Sequence, residues 1–340
     1  MPVASAFAGV TLVGFEESGG FHPGVEANGI AGWAGDAGAS VVGGDSQSGS
    51  QHLQIGAKGA ASVTRAITDG EWGKKAVGYY DFWVRPMADA SEEPETTIAA
   101  DGAKLAFIKD GENGVVAAYD AKANGGGESA LSDATFAIDE SGVAKKWLRI
   151  TLREDYAGHK WDVYVDGKLA LANLGMDGTP ARPGSFAVTL PAGQSMGIDA
   201  WQLSEQQPLF KDSDDDGMPD DFEKANGLDP NSDDRNSDPD GDGIPNIEEY
   251  RKGSLPGIPG AGTCRFIYVN NQIGDDTNSG QLTYAAGRSG PKASIHGAIK
   301  AAAAGDFVVV LPGSGHYREG DINVKGKQFN LKIVGDVHIE

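Results

Sequence analysis

The sequence predicts a mainly β protein whose larger part is a two-sheet sandwich of the jelly-roll type. Glycine takes 50 of the 340 positions, about twice its usual share, which implies many turns. Between residues 9 and 205 a series of short segments rich in β-branched and aromatic residues recurs, each bounded by turn formers. In the clearest of these the apolar residues repeat every second position, the period of a half-buried strand.

The expected strands are 11–16, 51–56, 61–67, 76–86, 104–109, 114–119, 146–154, 159–166, 185–190 and 196–203. In W-L-R-I-T-L-R, Leu148, Ile150 and Leu152 share one face. In W-D-V-Y-V, Trp161, Val163 and Val165 point inward, and Asp166-Gly167 then supplies a two-residue hairpin turn. Roughly ten strands of this kind suit two packed sheets.

The most specific feature lies between Asp212 and Glu249, where a twelve-residue loop is written twice. D-S-D-D-D-G-M-P-D-D-F-E is followed by D-P-D-G-D-G-I-P-N-I-E-E. Asp212, Asp214, Asp216 and Asp220 in the first copy, and Asp238, Asp240, Asp242 and Asn246 in the second, set oxygens at loop positions 1, 3, 5 and 9. Gly217 and Gly243 stand at position 6, where the turn is sharp, and Glu223 and Glu249 close each loop at position 12. The carbonyls of Met218 and Ile244 at position 7 complete an EF-hand-like ligand set for calcium, a hard cation that takes six to eight oxygens. A merely solvated acidic linker has no reason to repeat glycine and proline in matched places.

Charge follows the same division. The chain carries −21 overall. Residues 212–250 hold fifteen Asp and Glu against Lys224 and Arg235, a balance of −13. Such a cluster repels itself until a cation makes binding energy available for folding. The acidic balance excludes nucleic-acid recognition, which needs a basic face. No apolar run reaches the length of a transmembrane helix. The single cysteine, Cys264, excludes an internal disulfide framework. Ala6-Phe7-Ala8, within residues 1–8, resembles the cleavage end of a secretory signal. The six histidines show no metal-ligand spacing. Trp33, Trp72 and Trp201 are candidates for stacking on sugar rings.

Residues 253–262 read as a Gly/Pro linker. Beyond it, F-I-Y-V-N-N (266–271) is followed by an amphipathic helix at 293–304, with Ile295, Ala298, Ile299 and Ala302 on one face. The apolar strand F-V-V-V-L (307–311) comes next, and then segments carrying Phe329, Leu331, Ile333, Val337 and Ile339.

Several of these strings resemble known families. Y-Y-D-F-W-V-R-P (79–86), K-W-L-R-I-T-L-R-E-D-Y (146–156) and W-D-V-Y-V-D-G-K-L (161–169) resemble laminin-G-like/concanavalin-A-like jelly rolls of secreted bacterial proteins. That resemblance implies a sandwich over 9–205 that hosts lectins, adhesion modules or glucanases. The E-x-D-x-x-E strand of the retaining glucanases is absent. The paired loops in 206–258, with G-L-D-P-N-S-D-D between them, resemble bacterial thrombospondin type-3-like calcium repeats; the alternative is a dockerin, which would take a cohesin partner. Only short helical pieces, 220–226 and 246–252, fit after the loops, and Asp229, Asn231, Asp233 and Asp234 are available as further oxygens. The block 259–340 resembles the opening of a right-handed parallel β-helix of the pectin-lyase-like superfamily, in its first coils, which implies a longer protein.

These readings predict a secreted or cell-surface modular calcium-binding protein, non-catalytic, that binds carbohydrate or matrix or mediates adhesion. The alternative is the N-terminal part of a polysaccharide lyase or hydrolase whose active site lies on further coils.

Overall fold

The computed structural model describes residues 10–339 except 27, 37, 57–58, 74, 91–95, 122–127, 258–265, 282, 284–289, 303–305, 312–315, 321–329 and 334–337. The expected signal at 1–8, Cys264, Phe329 and Val337 lie outside the described residues. The chain divides into two compact units, Met1–Phe210 and Lys211–Glu340. Among the described residues no helix is long and apolar enough to cross a membrane.

The first unit is a two-sheet antiparallel β-sandwich. Its strands are β1 (Val10–Val13), β2 (Trp33–Gly35), β3 (Ala39–Gly43), β4 (Gln51–Ile55), β5 (Ala61–Ala66), β6 (Val77–Pro86), β7 (Thr97–Ala100) and β8 (Ala103–Asp110). They continue as β9 (Asn113–Asp120), β10 (Glu128–Ala137), β11 (Leu148–Asp155), β12 (Lys160–Val165), β13 (Lys168–Gly175), β14 (Ser185–Leu190) and β15 (Met196–Ser204). One sheet runs β13-β12-β11-β6-β15-β4-β3 with β1 also paired to β15; the other runs β10-β9-β8-β7-β14-β5-β2.

Alternation places the core. Tyr80, Phe82 and Val84 on β6, Leu148, Ile150 and Leu152 on β11, and Trp161 and Val163 on β12 all face inward and are buried. Val188 and Phe186 come from the opposite sheet, and Phe186 meets Phe82 at 5.0 Å and Trp201 at 5.9 Å between ring centroids. Each such side chain contributes about 1.5–3 kcal/mol on burial. Trp33 stacks edge-on against Trp201 at 5.9 Å. Trp33 and Trp201 are therefore core residues, and Trp72 is closed against Tyr156. None of the three presents a face to a sugar.

The hairpin at Asp166-Gly167 forms as its sequence predicts. Both residues have positive φ, 49° and 81°, the twist that a two-residue turn between antiparallel strands requires, and Val165 pairs with Lys168. Strands β2, β3, β7, β10 and β13 are additional to those expected. β10 reads as polar, E-S-A-L-S-D-A-T-F-A, and shifts register between Leu131 and Thr135.

The second unit begins with α1 (Asp220–Asn226) and α2 (Asn246–Lys252), followed by β16 (Phe266–Val269), α3 (Ile295–Ala301), β17 (Phe307–Val310), β18 (His316–Tyr317), β19 (Asn330–Ile333) and β20 (His338–Ile339). β16, β17 and β19 pair in parallel, and so do β18 and β20. Phe307 aligns with Asn330 and His316 with His338, spacings of 23 and 22 residues. The strand residues of β16 and β17 are buried on both faces, as parallel strands require. One face, Ile267, Val269, Val308 and Val310, packs on Ile295, Ala298, Ile299 and Ala302. The other, Phe266, Tyr268, Phe307, Val309 and Leu311, clusters with Leu255. α3 is shorter than the helix expected at 293–304; Ser294 caps it by accepting from the Gly297 N–H at 2.8 Å.

Candidate metal centres

The two acidic loops adopt one backbone plan. At position 6, Gly217 and Gly243 have φ of 97° and 88°, a region that a side chain makes costly. Their N–H groups donate to the position-1 carboxylates, Gly217 to Asp212 Oδ2 at 3.0 Å and Gly243 to Asp238 Oδ2 at 2.9 Å. Met218 and Ile244 donate to Asp216 and Asp242 Oδ1, both at 2.8 Å. α1 and α2 follow Pro219 and Pro245, and each ends on a left-handed glycine, Gly227 or Gly253. Phe222 packs on Tyr250 with centroids 4.9 Å apart, joining the helices.

This plan gathers carboxylates. In the first loop Asp212, Asp214 and Asp216 hold ligand oxygens within 4.8 Å of one another, and in the second Asp238, Asp240 and Asp242 do the same. A third group joins Asp216 and Glu223 to Asp234, from the segment between the loops. Glu223 is fully buried, and neither of its carboxylate oxygens has a hydrogen-bond partner among the described residues. Glu249 is also fully buried; Ser254 Oγ lies 3.3 Å from Oε1, while Oε2 has no hydrogen-bond partner among the described residues. Desolvation, then the charges of Asp216, Asp214, Asp234 and Asp212, push the Glu223 carboxyl up to about 8. Desolvation with Asp240, Asp242 and Asp238 pushes Glu249 up to about 7. Each closing glutamate thus faces the carboxylates of its own loop.

Position 9 differs between the copies. Asp220 turns its carboxylate to the loop entrance, accepting from Lys211 Nζ at 2.5 Å, Ser213 N at 2.9 Å and Ser213 Oγ at 3.0 Å. Lys211 foremost holds its carboxyl down to about 2. Asn246 instead donates Nδ2 to the Asp234 carbonyl at 2.9 Å and to Asp234 Oδ1 at 3.2 Å. Of the other inter-loop oxygens, Asp229 accepts from the backbone N–H and Nδ2 of Asn231 in a local turn.

A second surface lies on the outer face of the larger sheet. Register puts Arg85, Gly197 and Gln54 in one row across β6, β15 and β4, and Arg149, Trp83 and Asp199 in the next across β11, β6 and β15; Trp147, just before β11, meets His52 edge-on at 5.2 Å. Trp83 and Trp147 are both only partly buried. The Trp147 indole lies over Gly197, where a Cβ would come within 2.8 Å of the ring, and donates to the Asp45 carbonyl at 2.9 Å. Arg85 pairs with Asp45, and Arg149 grips Asp81 through two bonds at 3.0 and 2.8 Å. The charges are therefore neutralised within the face, and the two indoles are its apolar elements. Neither tryptophan stood out in the sequence, because alternation alone does not say which face is covered.

Among the described residues, Glu154 and Asp101 are the carboxyls drawn together inside the sandwich. Glu154 accepts from Tyr156 at 2.6 Å and Asp101 from Tyr80 at 2.8 Å. Burial pushes Glu154 well up. Glu154 is fully buried, whereas Asp101 is half-buried at the turn between β7 and β8.

No family model and no curated protein matches the chain. Among solved structures, the binding domain of botulinum neurotoxin serotype D overlaps with a TM-score of 0.32 and 16% identity, over 50% of this chain and 43% of that one. The botulinum neurotoxin DC binding domain in complex with SialylT gives 0.34 and 13%, over 52% and 42%. A carbohydrate esterase from Shiga toxin-encoding bacteriophage phi24B gives 0.37 and 16%, over 51% and 89%. The chain thus spans less than half the length of those toxin domains. Likeness at this level lends no support to a particular ligand or activity.

Proposed function

We propose that this chain is a calcium-binding, non-catalytic modular protein in which a β-sandwich binds carbohydrate or matrix and the acidic segment is a calcium-stiffened connector. The observation that carries the calcium reading is Glu223, fully buried with two oxygens that meet no donor among the described residues and four aspartates around it. An uncompensated buried carboxylate costs several kcal/mol on general grounds, about what a bound cation relieves. The donors are all oxygens, which suits a hard ion such as calcium rather than zinc or copper. Asp212, Asp214, Asp216 and Glu223 would hold one ion and Asp238, Asp240, Asp242 and Glu249 another, with the Met218 and Ile244 carbonyls. The ion supplies positive charge; the residues supply the fold that encloses it, as in calcium repeats of the thrombospondin type-3 kind. Calorimetry of the full chain with calcium chloride should give about two sites; no calcium heat would sink the reading.

Carbohydrate recognition by the sandwich is supported by Trp83 and Trp147, whose indoles can pack on the apolar face of a pyranose while neighbouring amide and guanidinium groups meet its hydroxyls. Glycan-array binding that is lost in both Trp83→Ala and Trp147→Ala supports this role, and binding insensitive to both overturns it. An extracellular or cell-surface location fits loops of this type, which work at high calcium. Secretion of the natural gene product tests it.

A second reading is the N-terminal part of a polysaccharide lyase or hydrolase acting on parallel coils. The 23- and 22-residue spacing of in-register parallel strands favours a β-helix. Release of unsaturated or reducing sugar ends from a polysaccharide by the natural gene product would support it.

A further inference from the structure

Resting on the calcium reading above, we propose that Asp234 is an additional ligand of the first loop's ion and that Asn246, in the second loop, holds it in place. The first site is then complete only when the second loop is folded. Asp234 lies outside both twelve-residue loops, yet its carboxylate comes within 4.8 Å of ligand oxygens on Asp216 and Glu223. The independent sign of a ligand there is Glu223, fully buried with both oxygens unmet among the described residues.

Three further contacts stitch the inter-loop segment between the two copies. Arg235 Nη1 donates to the Asp216 carbonyl at 2.6 Å, on the first loop. The N–H groups of Ile247 and Asn246 donate to the carbonyls of Arg235 and Ser237, both at 2.9 Å, from the second. Asp234 is therefore delivered by a strap fixed at one end to each loop.

The arrangement is asymmetric, and the sequence says why. The loops are 26 residues apart, since Asp212 corresponds to Asp238. The counterpart of Asp234 is then residue 260, a glycine, so the second site lacks this carboxylate. Position 9 divides in the same way, Asp220 binding its own loop entrance and Asn246 reaching back to Asp234. An amide suits that place because it donates to a carboxylate; an aspartate there would set like charge against it. The first site has five carboxylates, with Asp216 and Glu223 fully buried, against four in the second, where Asp238 is exposed. More charge and a more rigid cage mean tighter calcium binding, and any coupling between the sites is reciprocal.

The test is calcium titration calorimetry on the full 340-residue chain and its Asp234→Asn, Asn246→Ala and Asn246→Asp variants. The wild type should show a tighter and a weaker site. Asp234→Asn should weaken the tighter one by about tenfold or more while leaving the weaker within a few-fold. Asn246→Ala and Asn246→Asp should weaken the same tighter site, the aspartate more, although both changes lie in the other loop. An Asp234→Asn isotherm superimposable on the wild type, or a loss confined to the weaker site, overturns the proposal and leaves the calcium reading standing. No calcium heat in the wild type overturns the calcium reading itself. Should Asp234→Asn fail to resist protease in saturating calcium, the Asn246 pair decides: a weakened tighter site supports the proposal and an unchanged one refutes it.

Discussion

Arg153 and Asp162 stand opposite each other on β11 and β12 and form an ion pair, Nη1 to Oδ2 3.1 Å, with side chains 2% and 0% exposed. The other Asp162 oxygen accepts the Asn173 N–H at 2.8 Å, where β13 departs from regular pairing and Asn173 takes a φ of 59°. The pair therefore fixes a bulge as well as neutralising two buried charges.

Removing one partner leaves the other charge buried and unmatched. Asp162→Ala should lower stability by about 3–5 kcal/mol, whereas Arg153→Met with Asp162→Leu should cost much less, because the double change leaves no orphan charge. Urea denaturation of the two variants and the wild type measures both. Equal losses in single and double variants would mean that packing rather than charge is at stake.

Glu154 makes the opposite case. Burial foremost, with the Asp101 charge, raises its carboxyl well above the usual range. The folded state therefore holds a proton that the unfolded chain releases near pH 4.5, and stability falls as pH rises beyond that value. Glu154→Gln keeps the shape and removes the titration. It should raise Tm at pH 7–8, change little near pH 4, and flatten the pH profile between. A variant less stable than wild type at every pH would show that the carboxyl stabilises the fold in its ionised form.

The same sign governs the acidic loops without calcium. Glu223, raised to about 8, and Glu249, raised to about 7, bind protons in the folded state that the unfolded chain loses above about pH 4.5. In chelator, the acidic loops should become less stable as pH climbs from about 5 to 8. On the proposed calcium reading, the ion would displace those protons, and binding near pH 7 should release them. Calorimetry in buffers of different ionisation enthalpy reads the release directly; identical heats in all buffers would mean that both glutamates are already ionised.

How much of this was legible in the sequence depends on whether the deciding contact was local. The alternation of Leu148, Ile150 and Leu152 and the Asp166-Gly167 turn set β11, β12 and their hairpin, because period and turn chemistry act over a few residues. The helices after the acidic loops span the residues their sequence marks, bounded by Pro219 and Gly227, and by Pro245 and Gly253. β10 escaped notice because its apolar positions are interrupted and its pairing with β9 changes register midway. The tryptophans misled for a different reason. Residue type is the same for Trp33, enclosed by Phe15, Phe186 and Trp201, and for Trp83, half open on the outer face; only the packing of a second sheet distinguishes them. Asp234 was visible as one acid among several, and its approach to Glu223 is a matter of chain path.

Leu255 gives the last prediction. It follows Ser254, whose N–H donates to the Glu249 carbonyl at 2.9 Å and whose hydroxyl lies 3.3 Å from Glu249 Oε1, at the closing position of the second loop. Its own side chain is buried in the cluster of Phe266, Tyr268, Phe307, Val309 and Leu311, where Phe266 and Phe307 stack at 5.2 Å. One short link thus ties the acidic loop to one face of the parallel strands. Leu255→Ala should cost about 2–5 kcal/mol locally through the cavity it leaves. Hydrogen exchange should quicken at β16 and β17 and stay unchanged at β6 and β11 in the sandwich. Calcium should slow exchange at β16 and β17 in the wild type, and much less in Leu255→Ala. Unchanged exchange at β16 and β17 in the variant would mean that α3, on the opposite face, holds these strands without help from the loop.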